Sequence, residues 1–259
     1  MISCNKKNRI MNNTDKNTSI AFLHHSTGKS IWQGGNSYLV KIKGKLGASS
    51  AVEKWFSKYN RKNGVNYQIR EIVFPKKDPY GWKNYPFDYY NIWVKNGDEL
   101  YYKEEPTLKT LTIDSDVIIF KHCFPVSRLS DEKEGDINSD RKTITNYKLQ
   151  YEALYAEFQK YPNVKFIVWT PAALTESKTT VEQAGLTRQF SNWVKEKWDK
   201  PGDNVFVWDF FELETEGGLY LKEEYAVNSK DSHPNDSFAR KTYPRFCQYI
   251  VDVIENRVE

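Results

Sequence analysis

Asp231-Ser232-His233-Pro234-Asn235 lies near the carboxyl end of the chain, and His24-His25-Ser26-Thr27-Gly28 lies near the other end. A serine hydroxyl is a weak nucleophile until a base removes its proton. An imidazole can do this near neutral pH, and a carboxylate then fixes its tautomer and stabilises the imidazolium as it forms. Ser26, His233 and Asp231 are the residue types this chemistry needs. An aspartate two positions before its histidine can fold back across a turn to reach Nδ1, and Pro234 stiffens that turn. The chemistry indicated is nucleophilic attack by Ser26, with His233 as base and Asp231 as the orienting carboxylate.

These residues must be held by elements far apart in sequence. Ser19 to Leu23 is a short apolar run that stops at His24, as a buried parallel strand would. Similar runs recur at Tyr67 to Phe74, Val117 to Phe120, Val164 to Trp169 and Val205 to Trp208. Helical periodicity fills Ala51 to Tyr59, Thr143 to Tyr161, Val181 to Trp198 and Asp236 to Glu255, with a kink or restart expected at Pro244. Strands alternating with helices predict an α/β fold, a five-stranded parallel sheet in a three-layer α/β/α sandwich. Such sheets bind ligands beyond the carboxyl ends of their strands. His24 and His25 end the first strand, His122 ends the third, and His233 precedes the last helix. Ser26 falls where the first strand turns into a helix, whose amino-terminal amides and dipole suit an oxyanion.

Each of these residues also has a plainer role. Serine is a good helix N-cap anywhere, and Asp231 with His233 could form a capping loop. His24 and His25 are expected to shape the substrate pocket or satisfy backbone groups. Histidines from several strand ends plus Asp231 could surround zinc, yet no His-x-x-x-His or Cys-x-x-Cys spacing supports a metal, and that account leaves Ser26 idle.

The chain has 259 residues, enough for one sizeable core, and is read as a polar leader over 1–18 followed by a single domain over 19–259. A net charge of +4, with lysines scattered among acidic residues, argues against nucleic acid as a partner. No apolar run approaches the roughly 18 residues of a membrane span, so a soluble chain is expected. Three cysteines form no paired framework; Cys123 and Cys247 sit in apolar surroundings as small hydrophobes. Ile2-Ser3-Cys4-Asn5 resembles the end of a bacterial lipoprotein signal, although the apolar region such a site requires does not precede it. A lipidated Cys4 would tether the chain to a membrane in the bacterial envelope; without it a cytoplasmic location is expected.

Seventeen tyrosines and eight tryptophans exceed what a core of this size usually needs. The densest aromatic stretch, Tyr80 to Tyr102, follows the second strand. Tyr80, Trp82, Tyr85 and Tyr89 could stack on sugar faces in a cleft, or form a lid packed over the core. Arg128 to Arg141 is charged and reads as a solvated loop leading to a helix capped near Ser139 or Asp140.

A serine directly after the first strand, with an Asp and a His together before the last helix, resembles the SGNH (GDSL-type) hydrolases. That likeness implies a flavodoxin-like sandwich, Ser26 as nucleophile and amide donor to the oxyanion, His233 as base and Asp231 as its partner. The family's Gly-Asp-Ser string is His24-His25-Ser26 here. Where the family supplies an oxyanion-hole asparagine this chain reads Lys121-His122-Cys123-Phe124-Pro125, which makes His122 the candidate donor, balanced against a packed structural role. Gly81 is the candidate for the second-block glycine. The resulting expectation is a serine esterase acting on a small acyl ester, an O-acetyl sugar foremost, with no cofactor and no metal. His25, Tyr80, Trp82 and Tyr85 would line its substrate site. The alternatives are a glycan-binding module without turnover and a metal-dependent hydrolase using the histidines.

Overall fold

The computed structural model describes residues 17–35, 48–81 and 83–258. Cys4 and Trp82 lie outside the described residues. Five strands form the central sheet: β1 (Asn17–His24), β2 (Asn66–Val73), β5 (Val117–Phe120), β6 (Lys165–Trp169) and β7 (Val205–Trp208). All adjacent pairs are parallel, in the order β2-β1-β5-β6-β7. Asn17 and Thr18, assigned to the leader from their polarity, already pair with Asn66 and Tyr67, because backbone pairing with β2 needs no apolar side chain.

Helices cover both faces. Side chains alternate along each strand, so Ile20, Phe22, Ile119 and Trp169 pack on one side with α1 (Ser26–Gln33), α2 (Ala51–Asn63) and α8 (Asp236–Ile254). Ala21, Leu23, Phe120 and Val168 pack on the other with α3 (Pro86–Tyr89), α5 (Ile144–Phe158) and α6 (Val181–Trp193). The fold is therefore the three-layer α/β/α sandwich. Further elements are two short helices, α4 (Leu108–Asp114) and α7 (Phe210–Thr215), and two small hairpins, β3 (Tyr101–Tyr102) with β4 (Glu105–Pro106) and β8 (Ala226–Asn228) with β9 (Asp231–Pro234), while π-helical turns over Tyr90–Lys95 and Val194–Trp198 continue α3 and α6. Among the described residues no helix is long and apolar enough to cross a membrane.

Two local expectations change. The helix after the charged loop starts at Ile144 with Thr143 as N-cap, its hydroxyl accepting the Asn146 amide at 3.1 Å. Ser139 is instead used within the loop, where its hydroxyl accepts the Arg141 amide and its carbonyl accepts Gln150. Helix α8 runs unbroken through Pro244. Phe238 and Thr242 before the proline, and Phe246 and Ile250 after it, are buried, and that packing outweighs a proline cost of about 3 kcal/mol. The aromatic insertion is largely core: Tyr89, Ile92 and Trp93 are fully buried beside Phe74 and Phe120, and Tyr89 donates its hydroxyl to the Lys121 carbonyl. Tyr89 is thus part of the lid and not of an open cleft.

Candidate active site

The connection of β1 leads outward to β2, whereas β5 lies on the other side of β1. The sheet order reverses there, and the crevice beyond the carboxyl ends of β1 and β5 is where open α/β sheets place ligands. Ser26 follows β1 and Cys123 follows β5.

Ser26 opens α1 and is exposed, while Thr27, Gly28 and Ser30 behind it are buried. Among the described residues no N-cap side chain caps this helix and its first turn holds no acidic residue, so no carboxylate offsets the positive end of its dipole. Gly28 lets the helix sit directly on the strand end: a β-carbon there would lie 2.5 Å from His24 Cβ. The thiol of Cys123 faces the hydroxyl and amide of Ser26; burial pushes this thiol up, against the opposing pull of Lys121 and Ser26.

The carboxyl-terminal string is a short strand and not a loop, and each of its residues has a separate task. Asp231 Oδ1 accepts from His233 Nδ1 at 2.5 Å and from the His233 amide at 3.1 Å. Ser232 is buried and its hydroxyl accepts the Thr175 amide at 3.1 Å, anchoring the strand to the loop after β6. Asn235 caps α8 by accepting the Phe238 amide and donates to the carbonyls of Glu224 and Ala226. His233 is held half-buried, its ring edge-on to Phe124 at 4.9 Å between centroids. Phe124 directly follows Cys123, so one turn has the serine on one residue and the histidine on the next. Ser26 and His233 thereby reach the same rim, without a direct hydrogen bond between their side chains among the described residues.

The other histidines are turned away. His25 donates Nε2–H to the Pro75 carbonyl at 2.6 Å and is buried, so it supports the loop after β2 instead of lining a substrate cleft. His24 donates Nδ1–H to the His25 carbonyl and faces Glu71 at 3.2 Å, while Lys29 holds the other Glu71 oxygen at 2.7 Å. His122 departs most from expectation. Its side chain follows Phe120 onto the sheet face opposite α1, lies against Tyr89 and shares a 2.8 Å hydrogen bond with Tyr151. Burial holds its pKa down to about 3. It is a packed structural residue, not an oxyanion donor at Ser26. Gly81 takes φ +125°, which explains a glycine there, and no atom lies within 4 Å of where its β-carbon would be. Tyr80 is half-buried with its hydroxyl accepting from Asn91, and Tyr85 is half-buried under the Lys142 ammonium at 4.3 Å. Among the described residues no cluster of histidine, cysteine and carboxylate side chains could hold a metal.

Two features escaped the sequence reading. Asn84, buried at φ +63°, accepts the Cys123 amide at 2.7 Å and donates to Phe74 and Tyr89, so it clamps the aromatic lid to the turn beside Ser26. Lys121 is buried, and its ammonium, whose pKa burial lowers to about 8, has no hydrogen-bond partner among the described residues. Glu214, equally buried, accepts the Ala173 amide, and burial drives its carboxyl far above the usual range. A lysine ending an apolar strand was the visible signal for Lys121; nothing in the sequence marks Asn84 among its aromatic neighbours.

No family model matches the sequence, and no curated protein matches it. Solved structures of similar chain path include a family two carbohydrate esterase from Cellvibrio japonicus, at 10% identity and TM-score 0.44, covering 92% of this chain and 62% of that one. A carbohydrate acetylesterase from Xanthomonas citri is similar at 10% identity and TM-score 0.47, covering 92% and 56%. A salicylyl-acyltransferase from a tetracycline biosynthetic pathway is similar at 14% identity and TM-score 0.39, covering 93% and 57%. The chain thus spans little more than half the length of each of these three proteins.

Proposed function

We propose that this chain is a serine esterase that hydrolyses a small acyl ester, foremost an O-acetyl group on a carbohydrate. The observation that carries the reading is the Asp231–His233 contact at 2.5 Å, packed through the His233 ring against the same Cys123–Phe124 turn that faces the exposed serine at the sheet's switch point. With Nδ1–H given to Asp231, Nε2 of the neutral ring is the nitrogen able to accept a proton.

Ser26 Oγ attacks the ester carbonyl and its proton passes to His233. The oxyanion is met by the leading amides of α1, which need no side-chain donor and so replace the role once expected of His122. His233 returns the proton to the departing alcohol, leaving an acyl group on Ser26. Water, deprotonated by His233, then attacks the acyl carbonyl; the carboxylic acid leaves and Ser26 recovers its proton. Asp231 stays ionised throughout and stabilises the imidazolium.

A chromogenic acetate ester and an acetylated oligosaccharide test this directly. Turnover of both is expected for the wild type and is expected to fall at least about a thousandfold in His233→Ala. Equal turnover by the variant would overturn the assignment of the base.

A further inference from the structure

The turn that carries Cys123 and Phe124 is also part of a basic pocket. Lys142 donates to the Pro125 carbonyl at 3.4 Å and stands over the Tyr85 ring. Tyr85, Arg128 and Lys142 line an open pocket of about 520 Å³ that also holds two ion pairs, Lys83 with Asp140 and Arg141 with Glu132. Those pairs leave Arg128 and Lys142 without a carboxylate within 4 Å among the described residues. Lys142 is half-buried, and desolvation together with Arg128 and Lys83 pushes its ammonium down. Four basic side chains against two carboxylates leave an excess of positive charge in this pocket, which an anion entering from solvent would offset.

Tyr85 joins this pocket to the serine. It directly follows Asn84, which accepts the Cys123 amide at 2.7 Å, and the Cys123 thiol faces Ser26. A tyrosine ring with a polar tip suits the face of a sugar, and a guanidinium fork suits a planar or tetrahedral oxyanion group. We infer that the pocket is an anion subsite beside Ser26, receiving a carboxylate or sulfate borne by the same glycan whose ester is cleaved. Its link to turnover rests on the esterase reading; its affinity for anionic sugars does not.

Calorimetric binding with three oligosaccharides of equal length, one uronate, one sulfated and one neutral, tests the inference on the intact protein. At least one anionic ligand is expected to bind about tenfold more tightly than the neutral one, and which does so identifies the source of the charge. That advantage should disappear in Arg128→Ala/Lys142→Met and in about 0.5 M salt, where screening is strong. Binding of the neutral ligand by the double variant reports that it is folded. With acetylated versions, the double variant should raise KM for the acidic ester about tenfold more than for the neutral ester while kcat for the acidic ester holds. Equal affinity for charged and neutral ligands, or an anion preference that survives the double variant, overturns the subsite. Anion preference without turnover of any ester would instead sink the Ser26 chemistry and leave the subsite standing.

Discussion

At the scale of single residues, function is separated from support by what each side chain is bonded to. Three of the four histidines are committed to the scaffold: His24 to Glu71, His25 to Pro75 and His122 to Tyr151. His233 alone pairs its Nδ1 with a carboxylate at the crevice rim. Asp231→Asn is therefore expected to lower kcat by roughly 10³–10⁴-fold with KM little changed, since the amide would favour the wrong tautomer. A steady-state comparison in which kcat holds would remove Asp231 from the mechanism. Gly28→Ala forces a β-carbon against His24 and is expected to lower stability by about 1–3 kcal/mol, read from denaturant melts. An unchanged midpoint would show that α1 can lift off β1 without cost. The residue types of the proposed triad were legible in the sequence because Asp-x-His and the strand-end serine are local patterns. The fate of His122 was not, because its two sides differ only by which face of the sheet residue 122 meets.

At the scale of elements, the short strand β9 and the turn after β5 bring together groups some 200 residues apart in sequence. Regular strands and long helices were readable from apolar periodicity, and β5 and β7 coincide with the apolar runs that predicted them. What the periodicity could not give was irregular structure set by long-range hydrogen bonds. Thr143 caps α5 where a loop residue was expected, and Asn84 holds the turn beside Ser26 from within the aromatic insertion. Asn235 is the best test of how firmly β9 is held, since it both caps α8 and ties the strand to Glu224 and Ala226. Asn235→Ala should cost about 1–2 kcal/mol of stability, and Asn235→Asp, which keeps only the cap, should recover part of it. Identical melting for the two variants would show that the amide donations contribute nothing.

At the scale of the whole molecule, buried titratable groups fix the pH range in which the fold holds. His25 and His122 stay neutral in the folded chain, with pKa values near 4 and 3 against an ordinary 6.5, because burial disfavours the imidazolium. Below pH 6.5 the unfolded chain takes up protons that the folded chain refuses, so stability falls as pH drops from 6.5 toward 4. Thermal melts that stay flat across that window would contradict this. Asp199 acts in the opposite sense: burial and the neighbouring Asp203 raise its pKa from 3.8 to about 7, so its contribution is present in acid and lost as pH rises through 7. Asp199→Asn is expected to raise Tm at about pH 8 and to give little or no gain near pH 4. Equal gains at both would mean that ionisation is not the cause. The parallel sheet and its two helical layers were legible from the alternation of elements, and the switch point followed once strand order was known. The central claim is that an exposed serine at this switch point is a nucleophile, and labelling with a fluorophosphonate probe followed by peptide mass analysis tests it most directly. One adduct on Ser26 in the wild type, and none in Ser26→Ala, is the predicted result; an unlabelled wild type, or equal labelling of the variant, would contradict it.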